Sequence, residues 1–128
     1  MASAIPTIVA TFISAADYSA TPYRLVYISA ADTVTRCANA SLPAQRPIGI
    51  LTDEVGAASG DAVSVQMGGI AKLEAGGTIV VGSSIATDGS GQGVSTTTAA
   101  DFCVGIALEA AASGGIFSVA ILPPPSTA

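Results

Sequence analysis

Histidine and tryptophan are both missing from these 128 residues, and cations are almost as scarce: Arg24, Arg36, Arg46 and Lys72 stand against nine acidic residues, for a net charge of −5. Each shortage removes a class of function. Without histidine no Ser-His-Asp or Cys-His arrangement can form, and a zinc or haem site loses its commonest ligand. A nucleic-acid surface needs clustered Lys and Arg to displace counterions from phosphates, and these four are scattered singly. No catalytic residue, cofactor or metal site is expected, and no nucleic-acid partner. Long hydrophobic runs are missing too. GTIVVG and IFSVAIL are strand-sized, far below the roughly 20 residues of a membrane span. The start, MASAIPTIVATFISAAD, lacks the cationic opening of a signal peptide. We therefore expect a soluble chain made in the cytosol, with no membrane partner.

Half of the residues are hydrophobic, but many are alanine, and the aromatics amount to 3 Phe and 3 Tyr. The length suits one domain. Its core must be built from Ile, Val and Leu and should be thin, since each buried methylene contributes only about 0.8 kcal/mol. Such a chain gains by associating with itself or with a larger surface. The two cysteines, Cys37 and Cys103, fit no metal spacing. Two readings stay open for them: buried small hydrophobes, or a disulfide across the fold.

What the sequence has in quantity is repetition. Residues 48–67, IGILTDEVGAASGDAVSVQM, are echoed by 104–122, VGIALEAAASGGIFSVAIL. Ile48-Gly49-Ile50 faces Val104-Gly105-Ile106, Asp53 faces Glu109, and Val63-Ser64-Val65 faces Phe117-Ser118-Val119. Each copy reads as strand, small-residue loop, strand. Upstream, VYISAADTVTRCA (26–38) and SIATDGSGQGVSTT (84–97) share a second form, a strand, a turn around Asp32 or Asp88, and a strand. Turn signals about every 8–12 residues between short alternating runs argue for an all-β fold, a small β-barrel or sandwich. Two tandem pseudo-repeats, about residues 23–67 and 78–122, are too few for a solenoid; they supply two halves of one sheet. Residues 23–122 form the β domain. Residues 123–128 follow as a Pro-rich tail, and Pro123–Pro125 should stop the last strand near Leu122 because proline cannot donate to a ladder.

Residues 1–22 stand apart as an N-terminal arm. Ile5, Ile8, Val9, Phe12 and Ile13 sit at helical spacing with Pro6 near a first turn, while TIVATFI equally suits an extended strand. Either form leaves an apolar face that needs a partner: the chain's own barrel, a neighbouring subunit, or a larger assembly. Ile5, Ile8, Phe12 and Ile13 are the nominated contact residues.

Other candidates have ordinary explanations. Gly89-Ser90-Gly91-Gln92-Gly93 looks like a phosphate loop, but a dinucleotide fingerprint joins strand to helix and a P-loop ends in Gly-Lys-Ser/Thr. We read a hairpin turn. Asp53, Glu54 and Glu109 fall in loop halves where solvated charge is normal. A calcium site using Asp53, Glu54 and Asp61 would need six or more oxygens. Lys72 lies in the alternating run IAKLE as a solvent-facing strand lysine. Asn39-Ala40-Ser41 spells a sequon, here read as chance. Leu108–Ala112, LEAAA, is made of helix formers but is too short to stand alone and is taken as loop.

The run VGIALEAAASGGIFSV at 104–119, with AGGTIVVGSSIATDGSGQGV before it, resembles the closing segment of capsid decoration (cement) proteins of tailed bacteriophages. The similarity spans about residues 23–122. It implies a small barrel-like structural protein, without catalysis or cofactor, on the outer capsid surface of the virion. Its partners would be the major capsid protein, clamped after head expansion, and its own copies in a homotrimer. The rival readings are another phage structural component (tail or fibre) or a self-assembling surface protein.

Overall fold

The computed structural model describes residues 5–18, 20–52, 59–97 and 101–127; at 5–8, 43 and 122–127 only the backbone is described. Short alternating runs with β-branched residues become strands, and Gly, Asp and Ser clusters become the turns between them. The described residues form nine strands: β1 (Ile5–Ser14), β2 (Leu25–Ala30), β3 (Thr33–Arg36), β4 (Gly49–Leu51), β5 (Ala62–Glu74), β6 (Ser84–Thr87), β7 (Gly93–Thr96), β8 (Phe102–Ala107) and β9 (Ile116–Thr127). A 3-10 turn at Pro43–Gln45 is the one helical element among them. The all-β, barrel-like class expected from the sequence is the observed one.

The strands follow the order β1-β3-β2-β4-β5-β9-β8-β6-β7, and β1 also pairs with β5. That extra pairing closes β1, β3, β2, β4 and β5 into a five-stranded barrel whose only parallel seam is β1 with β3. The remaining strands repeat the arrangement. β5 pairs with β9, β9 with β8, β8 with β6, and β6 with β7; a parallel bridge from Ala75 to Gly93 then leads back to the end of β5. Registers agree position by position. Val26 opposite Gly49 and Ile50 opposite Gln66 correspond to Ile85 opposite Gly105 and Ile106 opposite Ala120. Thr11 opposite Ser64 corresponds to Lys72 opposite Ser118.

The last pair of registers adds to the repeat a strand that lies upstream of residue 23. β1 stands in the first ring where the C-terminal half of β5 stands in the second, so the first structural unit starts upstream, inside the N-terminal segment. β5 is shared. Its first half closes ring one and its second half opens ring two. The interiors separate accordingly. One cluster holds Tyr18, Val26, Val34, Leu51, Val63 and Val65, with Phe12 packed on it. The other holds Leu73, Ile85, Ala107, Phe117 and Val119, and extends through Leu25, Ile50 and Cys37 into the junction between rings.

The Ile/Val-Gly-Ile step of the repeat has a steric cause. A Cβ on Gly49 would fall on the carbonyl oxygen of Gln66, and one on Gly105 would fall on that of Ala120. Gln66 and Ala120 are equivalent positions, so both units need glycine at the same close approach of two backbones.

Two sequence expectations need correction. The last strand does not stop at Leu122 but runs to Thr127, with Phe102 opposite Thr127 and Cys103 opposite Ser126. Its ladder is interrupted between Cys103 and Gly105, so Pro123–Pro125 fall where no amide donor is required. The strand-sized run GTIVVG keeps only an isolated bridge at Ile79, and its chain turns at Val81-Gly82. LEAAA is loop as expected, a bend followed by the Ala111 partner of that bridge.

Candidate functional site

Polar side chains in this molecule mostly hold the scaffold together. At the junction of the rings Arg24 donates from Nη2 to Glu74 Oε2 (2.7 Å) and from Nη1 to the Ser90 carbonyl (2.9 Å). Gln92 also donates to Glu74. The Gly89–Gly93 stretch is the β6–β7 hairpin turn, in which the Asp88 carboxylate accepts from the amides of Ser90 and Gln92. The phosphate-loop appearance is thus a turn built around an aspartate. Arg36 lies over the Tyr18 ring and Arg46 over the Phe102 ring, 4.6 Å from its centroid. Lys72 sits on β5, half-buried. Glu109 accepts a hydrogen bond from the Ser118 amide (3.1 Å). Among the described residues no three His, Cys, Asp or Glu are grouped as a metal site would require; Asp53 and Glu54 lie outside those residues. Cys37 and Cys103 are both free and buried. Burial pushes the Cys37 thiol up to about 12, and raises Cys103 through burial first and the charge of Asp101 second.

Several large apolar side chains are exposed. The N-terminal segment takes the extended form, and its ladder partners, β5 and β3, belong to its own chain. Alternation divides its side chains. Phe12 turns inward onto the first core. Val9 and Ile13 point outward, 50% and 44% exposed. Of the other nominated residues, Ile5 stands opposite Ile70 and Ile8 opposite Gly68; their side chains lie outside the described set. A second apolar group comes from ring two, at a position that sequence reasoning did not single out. Val80 and Val81 are 60% and 61% exposed, and Leu108 is 46% exposed. The turn that carries the valines is tied to the strand end before Leu108 by the Gly82 amide donating to Ala107 (2.9 Å). The signal available in the sequence is the pairing of two adjacent valines with a following glycine, a combination that reads as strand.

Clustered exposed branched aliphatics are the usual mark of a protein-contact surface. No curated protein matches the chain. In fold it is similar to the head fibre gp8.5 N base of bacteriophage phi29, with a TM-score of 0.66 and 22% identity over 90% of this chain and 93% of that one. The sequence profile of the phage cement proteins, structural components associated with the virion, matches residues 7–122. On that match, which takes in seven complete strands and most of β1 and β9, the chain belongs to the phage cement protein family.

Proposed function

We propose that the protein binds the outer surface of the expanded phage head and stabilises contacts between major capsid protein subunits, acting as a homotrimer and performing no catalysis. The family match across residues 7–122 carries this reading. Its physical basis is mass action: a protein that binds only the expanded shell adds about 2.7 kcal/mol per site at a hundredfold excess over Kd. Several copies joined in one oligomer strengthen the attachment further through effective concentration. In this reading β1 supplies contact through Ile5, Ile8 and Ile13, with Val9 beside them, while Phe12 holds the strand to the barrel beneath.

Co-sedimentation with undecorated heads of the matching phage, expanded and unexpanded, tests the proposal. Saturable binding to expanded heads at a fixed number of copies per capsomer is the expected result, and Val9→Ser with Ile13→Ser should weaken binding or trimer formation. Folded protein that binds neither head form would overturn the reading. Self-assembly without heads would then move the weight to a tail, fibre or surface component.

A further inference from the structure

The two rings provide an internal control for the exposed apolar residues. Registers and hydrogen bonds place Val80-Val81-Gly82-Ser83 of ring two where ring one has Thr21-Pro22-Tyr23-Arg24. The Gly82 amide donates to Ala107 as the Tyr23 amide donates to Leu51. Gly82 and Tyr23 share a positive φ, 80° and 60°. Leu108 likewise corresponds to Thr52, because the Leu108 amide donates to the Ser118 carbonyl and the Thr52 amide to that of Ser64. One backbone is therefore built twice. In ring one the turn carries Thr21, Pro22 and Thr52, all half-buried; in ring two it carries three exposed branched aliphatics. Folding does not require the apolar version. Leaving it in water gains nothing for the isolated chain.

The turn is also stiff. Ser83 Oγ donates to the Val80 carbonyl (2.6 Å) and meets Ser95 Oγ at 2.7 Å, and the Val80 amide donates to the same Ser95 oxygen (3.2 Å). Two valines, whose branched side chains are restricted at χ1, are thus presented in advance, which lowers the ordering cost of binding. The nearby carboxylate of Glu109 accepts from the Ser118 amide.

We propose that Val80, Val81 and Leu108 are the anchor by which this protein seats on the protein shell of the phage head, in an uncharged apolar depression of that shell; the inference rests on the head-binding reading above. The size of the patch selects this occupant over a second copy. Three half-exposed aliphatic side chains cover only a fraction of the about 800 Å² per partner that a stable free pair needs. A shell offering many identical sites makes so small a contact effective through multivalency.

The full chain carrying Val80→Thr, Val81→Ser and Leu108→Thr, which gives ring two the polarity of ring one, tests the anchor. Its melting temperature and oligomeric state should match wild type, while its apparent Kd for expanded heads rises by about tenfold or more. Val81→Trp is the second variant. It adds bulk only at the solvent face, and should weaken head binding by a comparable factor even if the triple variant folds poorly. Head binding equal to wild type in both variants overturns the anchor, as does loss of self-association with head binding intact. Failure of wild type itself to bind any head is a separate result, which overturns the head-binding proposal and the anchor with it.

Discussion

The two rings share a backbone plan and fill it differently. Ring one places Phe12 opposite Val63, whereas ring two places Leu73 opposite Phe117. The aromatic has crossed to the partner strand, and the volume of the pair stays about the same. Where ring one has Val34, ring two has Gly93, and a Cβ there would strike Leu73 and Ile85. Leu51 of ring one becomes Ala107. A barrel interior is therefore set by its total volume rather than by a residue at each position. The outer rows teach a second lesson. Leu25, Cys37 and Ile50 of ring one are buried in the cluster that holds the ring-two core, and Gln66 is buried as well. Their counterparts Ser84, Thr96, Ile106 and Ala120 end the series, and they are smaller or more polar except for Ile106, 37% exposed. A terminal unit must present a face that water tolerates.

The comparison can be broken most severely at its largest side chains. Phe117 is fully buried and Phe12 only partly so. Phe117→Ala should cost about 3–5 kcal/mol, and Phe12→Ala about 2 kcal/mol, read from urea midpoints. Equal losses would mean that the rings are not packed as unequally as their aromatics suggest. A milder perturbation transplants the ring-one pair into ring two. Leu73→Phe combined with Phe117→Val should stay within about 1.5 kcal/mol of wild type, while Leu73→Phe alone overpacks and costs about 1–3 kcal/mol. Additive costs in the double variant would remove the volume argument. The smallest expected effect concerns the thiols. Native Cys37 should resist thiol reagents at pH 8 and react once the chain is unfolded, as mass spectrometry can follow. Its folded value is raised from the ordinary 9.0 to about 12. The native state is thus favoured in full below pH 9 and loses that contribution as pH climbs toward 12. Rapid native labelling would contradict the burial.

Much of this architecture was legible in advance. The echo of Ile48–Met67 in Val104–Leu122 marked two equivalent hairpins, because Gly49 and Gly105 answer to one steric demand and Val63-Ser64-Val65 to one alternation. The shared strand was not legible. Ile5–Ser14 and the second half of β5 do the same work with almost no residue in common beyond alternation, since a ring needs from its first strand only an inward Phe12 or Leu73 and a free ladder. Proline misled for a related reason: its missing donor is harmless wherever the ladder is already interrupted, and no local signal announces that. The apolar turn escaped notice because Val80-Val81 reads as strand until the hydrogen bonds of Gly82 and Ser83 bend it. Of the nominated contact residues, Ile13 is exposed and Phe12 is spent on the core, a division fixed by which neighbour lies on each side of β1.

A strand common to both rings makes β5 the shared wall of the molecule. Two barrels joined by a flexible tether would pivot independently, and a pull on one would first take up slack. Here β5 pairs with β1 and β4 in ring one and with β9 in ring two, so one continuous backbone belongs to both. Neither ring can turn against the other without breaking ladder hydrogen bonds of its own.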